Sequence, residues 1–316
     1  MKYLFTVLFC LISVSAFSQF AVMTEDGNLY LNDSLGNPKY DFVWKVEDLK
    51  PTSKAFALGD IRINEIPLEI FNYTNLEVLI IENIWISTLP KEIGNLKNLK
   101  YLIINHTRIN ILPESLKELK QLKTLELSTN WDLKCQEIEK YIPYFPNLEQ
   151  LRLHFFHLEE IPKSVFLLQN LKVLDLSHNE ISVVPSEILS LKKLTHLNLG
   201  CNNFIEFPQI ITSLKQLEKL NLESTAIPHL PKEIANLENL TYFNFSINLV
   251  EELPIEFFTL QKLEYLNLGG TDITYFPTEF NKLINLSELN VELMDIRKKQ
   301  IRELKKLIPN CKIVWY

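Results

Sequence analysis

The 316-residue sequence predicts an α/β solenoid with a parallel β-sheet on its concave side and short helical turns on its convex side. The pattern LxxLxLxxNxIxxLP, followed by xxIxxLxxL, returns along most of the chain. Within it, leucines alternate with polar residues at the two-residue period of a half-buried strand. Nine of the ten spacings are 23 residues and one is 26, and the units begin at Ser53, Leu76, Leu99, Leu122, Leu148, Leu171, Leu194, Leu217, Leu240, Leu263 and Leu286. Because one such unit cannot bury its apolar face alone, neighbouring units must stack and pair their strands in parallel.

Proline marks the second half of most units. A proline follows the last apolar residue of its unit at Pro67, Pro90, Pro113, Pro162, Pro185, Pro208, Pro231, Pro254 and Pro277. A fixed φ and a missing N–H suit the first position of a helical turn. Each proline therefore predicts the first residue of a short convex turn, and the apolar residues that follow form its inward stripe.

These repeats resemble the leucine-rich repeat family over residues 53–316, in the class with the LPxxIxxLxxL consensus. The resemblance implies a leucine-rich repeat horseshoe whose concave sheet is the surface that this fold usually presents to partners. We assign residues 53–293 to the repeats and residues 294–316 to a C-terminal helix-strand cap.

The asparagine of the repeat is predicted to hold the turn that leaves each strand, because its side-chain amide can bond the turn backbone. It is present in four units, as Asn130, Asn179, Asn202 and Asn248. Other residues replace it in the remaining units: Ile61, Ile84, Thr107, Phe156, Thr225, Thr271 and Met294. The first two units should therefore turn differently or rely on packing.

Residues 1–18 predict a cleaved signal peptide. Lys2 precedes an apolar run from Tyr3 to Val14, and a small-x-small pattern predicts cleavage after Ser18. A membrane anchor is the alternative, but about twelve apolar residues are too few for a span that needs roughly twenty. We expect a secreted, periplasmic or envelope protein with no integral membrane segment after cleavage.

The segments outside the repeats, and the one longer spacing, predict further elements. Residues 19–52 lack the repeat, and the turn residues Asp26 and Gly27 predict a β-rich N-terminal cap. The 26-residue spacing predicts a fuller helix over Gln136–Tyr141. Arg297–Leu307 predicts a basic amphipathic helix that closes the last unit, with a membrane contact as the alternative role.

Sequence motifs for catalysis, cofactors or metals are absent: there is no glycine-rich phosphate loop, HExxH, GxSxG, paired CxxC or EF-hand spacing. A net charge of −7 with interspersed charges offers no surface for nucleic acid.

Cys135, Cys201 and Cys311 are expected to be free thiols. His178 and Cys201 fall about 5 Å apart on adjacent predicted strands, which would allow a Cys/His site. Small residues fill the same column elsewhere, so we favour a structural role.

The solvent-facing positions of the predicted sheet fall into three zones. The first is an apolar patch formed by Val78, Ile80, Tyr101 and Ile103. The second is a zone of alternating charge formed by Glu126, Arg152 and Asp175. The third is a row of asparagines flanked by Tyr242 and Tyr265: Asn198, Asn221, Asn244, Asn267 and Asn290. An exposed apolar patch marks an interaction site, unless the N-terminal cap folds over it. Stacked amides can bond one another or serve a polar ligand.

The sequence therefore predicts a non-catalytic, exported protein-binding module that uses the concave face, with the apolar patch as its interface core. The alternative is recognition of a carbohydrate or another cell-surface polymer by the half of the arc rich in tyrosine and asparagine. Tyr242 and Tyr265 would suit sugar rings in that case. The third and least favoured hypothesis is an enzyme.

Overall fold

The computed structural model describes residues 21–23, 29–31, 40, 42–59, 63–130 and 132–315. The predicted signal peptide, the Asp26–Gly27 turn and Ile61 lie outside these residues. The chain divides into two compact units. The N-terminal unit comprises Met1–Phe156 and Pro162–Leu171, and the C-terminal unit comprises His157–Ile161 and Lys172–Tyr316.

The strands of the N-terminal unit begin with an antiparallel pair, β1 (Ala21–Met23) and β2 (Leu29–Leu31). The strands that follow each pair in parallel with the next along the chain: β3 (Phe42–Val43), β4 (Ala55–Gly59), β5 (Val78–Glu82), β6 (Tyr101–Asn105), β7 (Thr124–Glu126) and β8 (Gln150–Arg152). Equivalent repeat positions are opposite each other, as Ile80 is to Ile103. The predicted register is confirmed in this unit.

The described residues of the C-terminal unit repeat this arrangement with seven parallel strands. They are β9 (Val173–Asp175), β10 (His196–Asn198), β11 (Lys219–Asn221), β12 (Tyr242–Asn244), β13 (Tyr265–Asn267), β14 (Glu288–Asn290) and β15 (Lys312–Val314). The middle residue of each of the first six strands is a fully buried leucine or phenylalanine, and Ile313 of β15 is half-buried. Both units are therefore built as the predicted α/β solenoid, with the leucine side of the strands inside.

Short 3-10 turns connect the strands, at Val46–Asp48, Leu68–Asn72, Lys91–Asn95, Glu114–Glu118, Ile142–Tyr144, Lys163–Leu167, Ser186–Ser190, Gln209–Ser213, Lys232–Asn236, Ile255–Thr259 and Thr278–Lys282.

The prediction that proline is the first residue of each turn is wrong by one residue. Each of the nine prolines precedes its turn with a non-helical backbone, as Pro90 does. Its carbonyl accepts the first hydrogen bond of the turn, as from the Ile93 N–H at 3.1 Å. Proline therefore acts as the N-cap residue.

Two α-helices complete the described elements: α1 (Cys135–Glu139) and α2 (Lys298–Leu307). The first is shorter than the predicted Gln136–Tyr141 helix and gives way to a 3-10 turn. In α2 the apolar residues Ile301 and Leu304 are buried, which leaves the basic side chains exposed. No helix in the described part of the chain is long and apolar enough to cross a membrane.

The turn asparagines (Asn130, Asn179, Asn202 and Asn248) hold the chain where it leaves a strand, as predicted. The Nδ2 of Asn202 donates to the Leu199 carbonyl of its own repeat and to the Leu176 carbonyl of the preceding one, both at 2.9 Å. Its Oδ1 accepts a hydrogen bond from the Ile181 N–H at 3.0 Å. Each amide therefore joins two repeats, whereas Ile84 fills the same position by complete burial.

A second set of asparagines also links repeats, and the sequence reasoning missed it. The Nδ2 of Asn98 donates to the Thr74 carbonyl of the preceding repeat at 2.9 Å. The same bond, between 2.7 and 3.0 Å, is made throughout the set of repeat-linking asparagines: Asn75, Asn98, Asn147, Asn170, Asn239 and Asn285. The signal was present as an asparagine before the first leucine of most units.

Candidate interaction surface

The outer sheet face is the side of the strands opposite the buried leucines. It is formed by the residue between the two leucines of LxL and by the residue two positions earlier. We call the outer sheet face of β4–β6 the N-terminal outer face and that of β10–β14 the C-terminal outer face. Because the strands pair in register, equivalent side chains form columns within each face.

The N-terminal outer face is apolar, and a tyrosine covers it. The four residues of the predicted patch are at most 5% exposed, and they form one buried cluster with Tyr40, Ala55 and Ala57: Val78, Ile80, Tyr101 and Ile103. The rings of Tyr40 and Tyr101 meet edge to face with their centroids 6.0 Å apart, and Phe42 packs against the cluster. The patch is therefore not open to a partner while Tyr40 lies there. This corresponds to the alternative in which the segment before the repeats folds over it.

A carboxylate holds the covering tyrosine. The Tyr40 hydroxyl donates a hydrogen bond to Glu77 at 3.2 Å, and the ammonium groups of Lys54 and Lys100 bind the same carboxylate. Partial burial alone would raise the pKa of Glu77, but the hydrogen bonds from Lys100 and Lys54 outweigh it and lower the pKa to about 2. Burial, followed by the neighbouring Glu77 charge, raises the pKa of Tyr40. The tyrosine is therefore a neutral donor to a charged acceptor.

The side chains of the predicted charged zone form hydrogen bonds with other residues of the protein. Glu126 on β7 is opposite Arg152 on β8, and both are buried. Asn105 donates to Glu126 at 2.6 Å, and Arg152 donates to Gln150 at 2.8 Å.

In the C-terminal unit, the buried Asp175 accepts hydrogen bonds from the Ser177 N–H at 3.0 Å and from its hydroxyl at 2.7 Å. These bonds give all three charged residues of the zone a structural role at the ends of their strands.

The C-terminal outer face carries a pair of stacked tyrosines. The rings of Tyr242 on β12 and Tyr265 on β13 are 4.5 Å apart at their centroids and only 4° from parallel. Both are half-buried, with Lys219 and Glu288 on the flanking strands of the same column. Burial, together with nearby acidic groups such as Glu288, raises the pKa of Tyr265 to about 12. Burial also raises the pKa of Tyr242, whose hydroxyl is hydrogen-bonded to that of Tyr265, so both hydroxyls remain protonated at neutral pH.

The outer asparagines, which are Asn198, Asn221, Asn244, Asn267 and Asn290, form the next column. Each side-chain Oδ1 accepts a hydrogen bond from the backbone N–H two residues on, at 2.9–3.2 Å. Across the described residues each of these bonds joins the end of a strand to the turn that follows it, and none runs from amide to amide. The Nδ2 groups of Asn198, Asn221 and Asn267 have no acceptor in that part of the chain. The Nδ2 groups of Asn244 and Asn290 donate to Glu223 and Glu292, both at 2.9 Å. Asn198 and Asn221 are buried, so the half-buried Asn267 is the most exposed of the three asparagines with an Nδ2 left for a partner.

The His178–Cys201 pair lies just beyond the strands. Both residues have positive φ, 54° and 55°, as do the equivalent residues of other repeats. Burial lowers the pKa of His178, and the Asp175 charge partly opposes this. Among the residues with described positions, no cluster of three histidine, cysteine, aspartate or glutamate side chains could hold a metal ion. Among the described residues, Cys135, Cys201 and Cys311 form no disulfide bond.

The chain belongs to the leucine-rich repeat family. A family model described as a leucine-rich repeat region matches residues 29–159, 134–225 and 211–309. No curated protein is similar enough to this chain to count as a relative.

Solved structures share the fold. A leucine-rich repeat protein of Leptospira interrogans is 29% identical, with a TM-score of 0.55 over 83% of this chain and 84% of that one. The internalin InlF of Listeria monocytogenes is 22% identical, with a TM-score of 0.68 over 84% and 74% of the two chains. A plant peptide hormone receptor, RGFR1, solved in complex with RGF2, is 19% identical, with a TM-score of 0.52 over 93% of this chain and 59% of its own.

Proposed function

We propose that this protein is an exported, non-catalytic module that binds a protein partner through its C-terminal outer face. The leucine-rich repeat fold is generally a binding scaffold without catalytic activity, and RGFR1 is a peptide hormone receptor with the same fold. Repeat folds of this kind present their strands as an extended binding surface.

The observation that carries the proposal is the pairing of rigid tyrosines with fixed amide donors. Tyr242 and Tyr265 offer half-buried rings whose hydroxyls stay protonated, and the half-buried Asn267 on β13 has an Nδ2 that donates to no described residue. Tyrosine supplies contact area at small entropic cost, and asparagine supplies adaptable hydrogen bonds, a combination that is common in protein-recognition surfaces. The N-terminal outer face is covered, so it contributes no open contact area.

The stacking of the tyrosines favours a protein over a sugar as the partner. A sugar ring packs flat against an open aromatic face, but one face of each ring here is in contact with the other ring. Lys219 and Glu288 are on the strands next to the pair. The stacked pair therefore offers a partner ring edges rather than two open ring faces, which suits contact with a polypeptide.

A capture experiment tests this proposal. Wild-type protein and a Tyr242→Ala/Tyr265→Ala variant would be used to capture proteins from a cell-surface fraction, with a glycan array run in parallel. Tyr275→Ala is the control, because Tyr275 is exposed and lies outside the strands. We expect the control to retain the captured proteins and the double variant to lose them. Glycan binding that the double variant abolishes, without protein capture, would contradict the proposal.

Export has its own test, because it rests on the sequence of residues 1–18 alone. We expect mass spectrometry of the exported fraction to show Gln19 as the first residue. A protein that keeps Met1 and stays with the cells would contradict export without affecting the binding proposal.

A further inference from the structure

A pocket in the N-terminal unit lies where the chain leaves β5, β6 and β7. Its volume is about 480 Å³, and its lining includes Trp85, His106, Arg108, Thr129 and Asp132. This volume is within the range of small-molecule sites. Backbone hydrogen bonds fix its walls, because the Arg108 N–H donates to Ile86 at 3.0 Å and the Thr129 N–H donates to His154 at 3.1 Å.

One wall of this Trp85 pocket is an exposed aromatic ring with a cation over it. Trp85 is 69% exposed, and the guanidinium carbon of Arg108 lies 4.7 Å from its ring centroid. The stack orients the planar guanidinium while leaving its N–H donors available. No carboxylate of the described residues is paired with Arg108. The wall therefore presents an oriented cation that can bind a carboxylate through two parallel hydrogen bonds.

The other polar groups of the pocket favour a ligand that carries hydroxyl groups. Asp132 is exposed and has no hydrogen-bond or ion-pair partner in the described part of the chain. The Thr129 hydroxyl is buried, and no described residue bonds it. A buried hydroxyl without a partner is costly, and it marks a place where a ligand group can complete the bonding.

We propose that the Trp85 pocket binds a sugar acid, with the ligand carboxylate on Arg108 and its ring hydroxyls on Asp132 and Thr129. A simple carboxylate would satisfy Arg108 but leave Asp132 without a donor. A neutral sugar would satisfy Asp132 but leave the guanidinium unpaired. A sugar acid joins both groups on one ring, and its apolar face can rest against Trp85.

Titration of the full chain with three probes tests the ligand class. D-glucuronate, D-glucose and acetate would each be titrated and followed by calorimetry or saturation-transfer NMR. We expect glucuronate to bind at least about tenfold more tightly than either other probe, the scale of one lost charge-assisted hydrogen bond. Equal binding of acetate would show a plain carboxylate site, and equal binding of glucose a neutral sugar site. Either result, or no binding of glucuronate, would overturn the proposal.

Two variants locate the site. Arg108→Gln and Trp85→Ala should each weaken glucuronate binding about tenfold or more. The matched controls are Lys91→Gln, an exposed lysine of the same unit, and Leu249→Ala, which changes the exposed residue at the repeat position equivalent to Trp85. Both controls should bind like wild type. Glucuronate binding that survives both pocket variants would place the ligand elsewhere. The pocket shares no residue with the C-terminal outer face, so this result is independent of partner capture.

Discussion

The outer sheet faces of the two units have opposite chemistry although the same 23-residue repeat builds both. On the N-terminal outer face, aliphatic and aromatic side chains are closed under Tyr40. The C-terminal outer face carries tyrosines and asparagines, and Tyr242, Tyr265 and Asn267 are only half-buried. The repeat determines only the inward leucines and the turns, so the outward positions are free to differ. Function in this fold is therefore decided by the residues that the repeat leaves unspecified.

The largest expected effect compares a charge placed on each outer face. Ile80→Asp puts a carboxylate into a buried apolar cluster and should cost about 3–5 kcal/mol of unfolding free energy. Asn267→Asp, at a half-buried position, keeps the side-chain oxygen that accepts the Gly269 N–H and should change stability by less than about 1 kcal/mol. Urea unfolding of both variants measures the difference. Equal costs would mean that the two faces do not differ as described.

Removing the covering tyrosine should have the next largest effect. Tyr40→Ala deletes a buried ring and its hydrogen bond to Glu77, at a cost of about 2–4 kcal/mol. The same variant should increase the fluorescence of an apolar dye, because the patch becomes open. Tyr275→Ala, at an exposed tyrosine, serves as the control and should stay within about 0.5 kcal/mol of wild type. A Tyr40 variant that melts and binds dye like the control would show that the patch has another cover.

Acid should weaken the N-terminal unit through Glu77. The folded pKa of about 2 is below the ordinary value of 4.5, so the stabilisation is complete above pH 4.5 and is lost as the pH falls towards 2. Because Lys54 and Lys100 are partly exposed, we expect the loss to be roughly 1–2 kcal/mol. Thermal melts across this range should show a shallower pH dependence for Glu77→Gln than for wild type. Identical profiles for the two proteins would contradict this role for Glu77.

The smallest effect should be the same in both units. Asn98→Ala and Asn239→Ala each remove one hydrogen bond to the preceding repeat, at about 0.5–1 kcal/mol. Denaturant midpoints should shift alike, because this bond belongs to the repeat and not to either outer face. A loss confined to one unit would show that the repeats are not equivalent in stability.

The sequence predicted the parts of the fold that repeat. Leu197 and Leu220 face inward and the strands pair in the expected register, because a period of two and a spacing of 23 residues specify both. The N-cap role of proline was missed, since its fixed φ suits the cap and the first turn equally. The cover over Ile80 was one of two alternatives that the sequence left open, because Tyr40 precedes the repeats and its docking depends on contacts distant in sequence.

The candidate site was predicted in its members but not in their arrangement. Tyr242 and Tyr265 were identified from their column, yet their parallel stacking depends on side-chain angles that no pattern specifies. The outer asparagines were expected to bond one another, but the nearer backbone N–H groups two residues on take their oxygens. Trp85 and Arg108 were passed over, because they occupy a variable position between two consensus residues.

Hydroxyl-radical footprinting of the native tyrosines tests the central claim most directly, since it compares both outer faces in one unbound molecule. Tyr101 is nearly inaccessible beneath Tyr40, whereas Tyr242 and Tyr265 are half-buried. We predict slow oxidation of Tyr101, faster oxidation of Tyr265, and a rise of the Tyr101 rate to that of Tyr265 in the Tyr40→Ala variant. Oxidation of Tyr101 as fast as Tyr265 in the wild-type protein would contradict the claim that the N-terminal outer face is closed and the C-terminal one open.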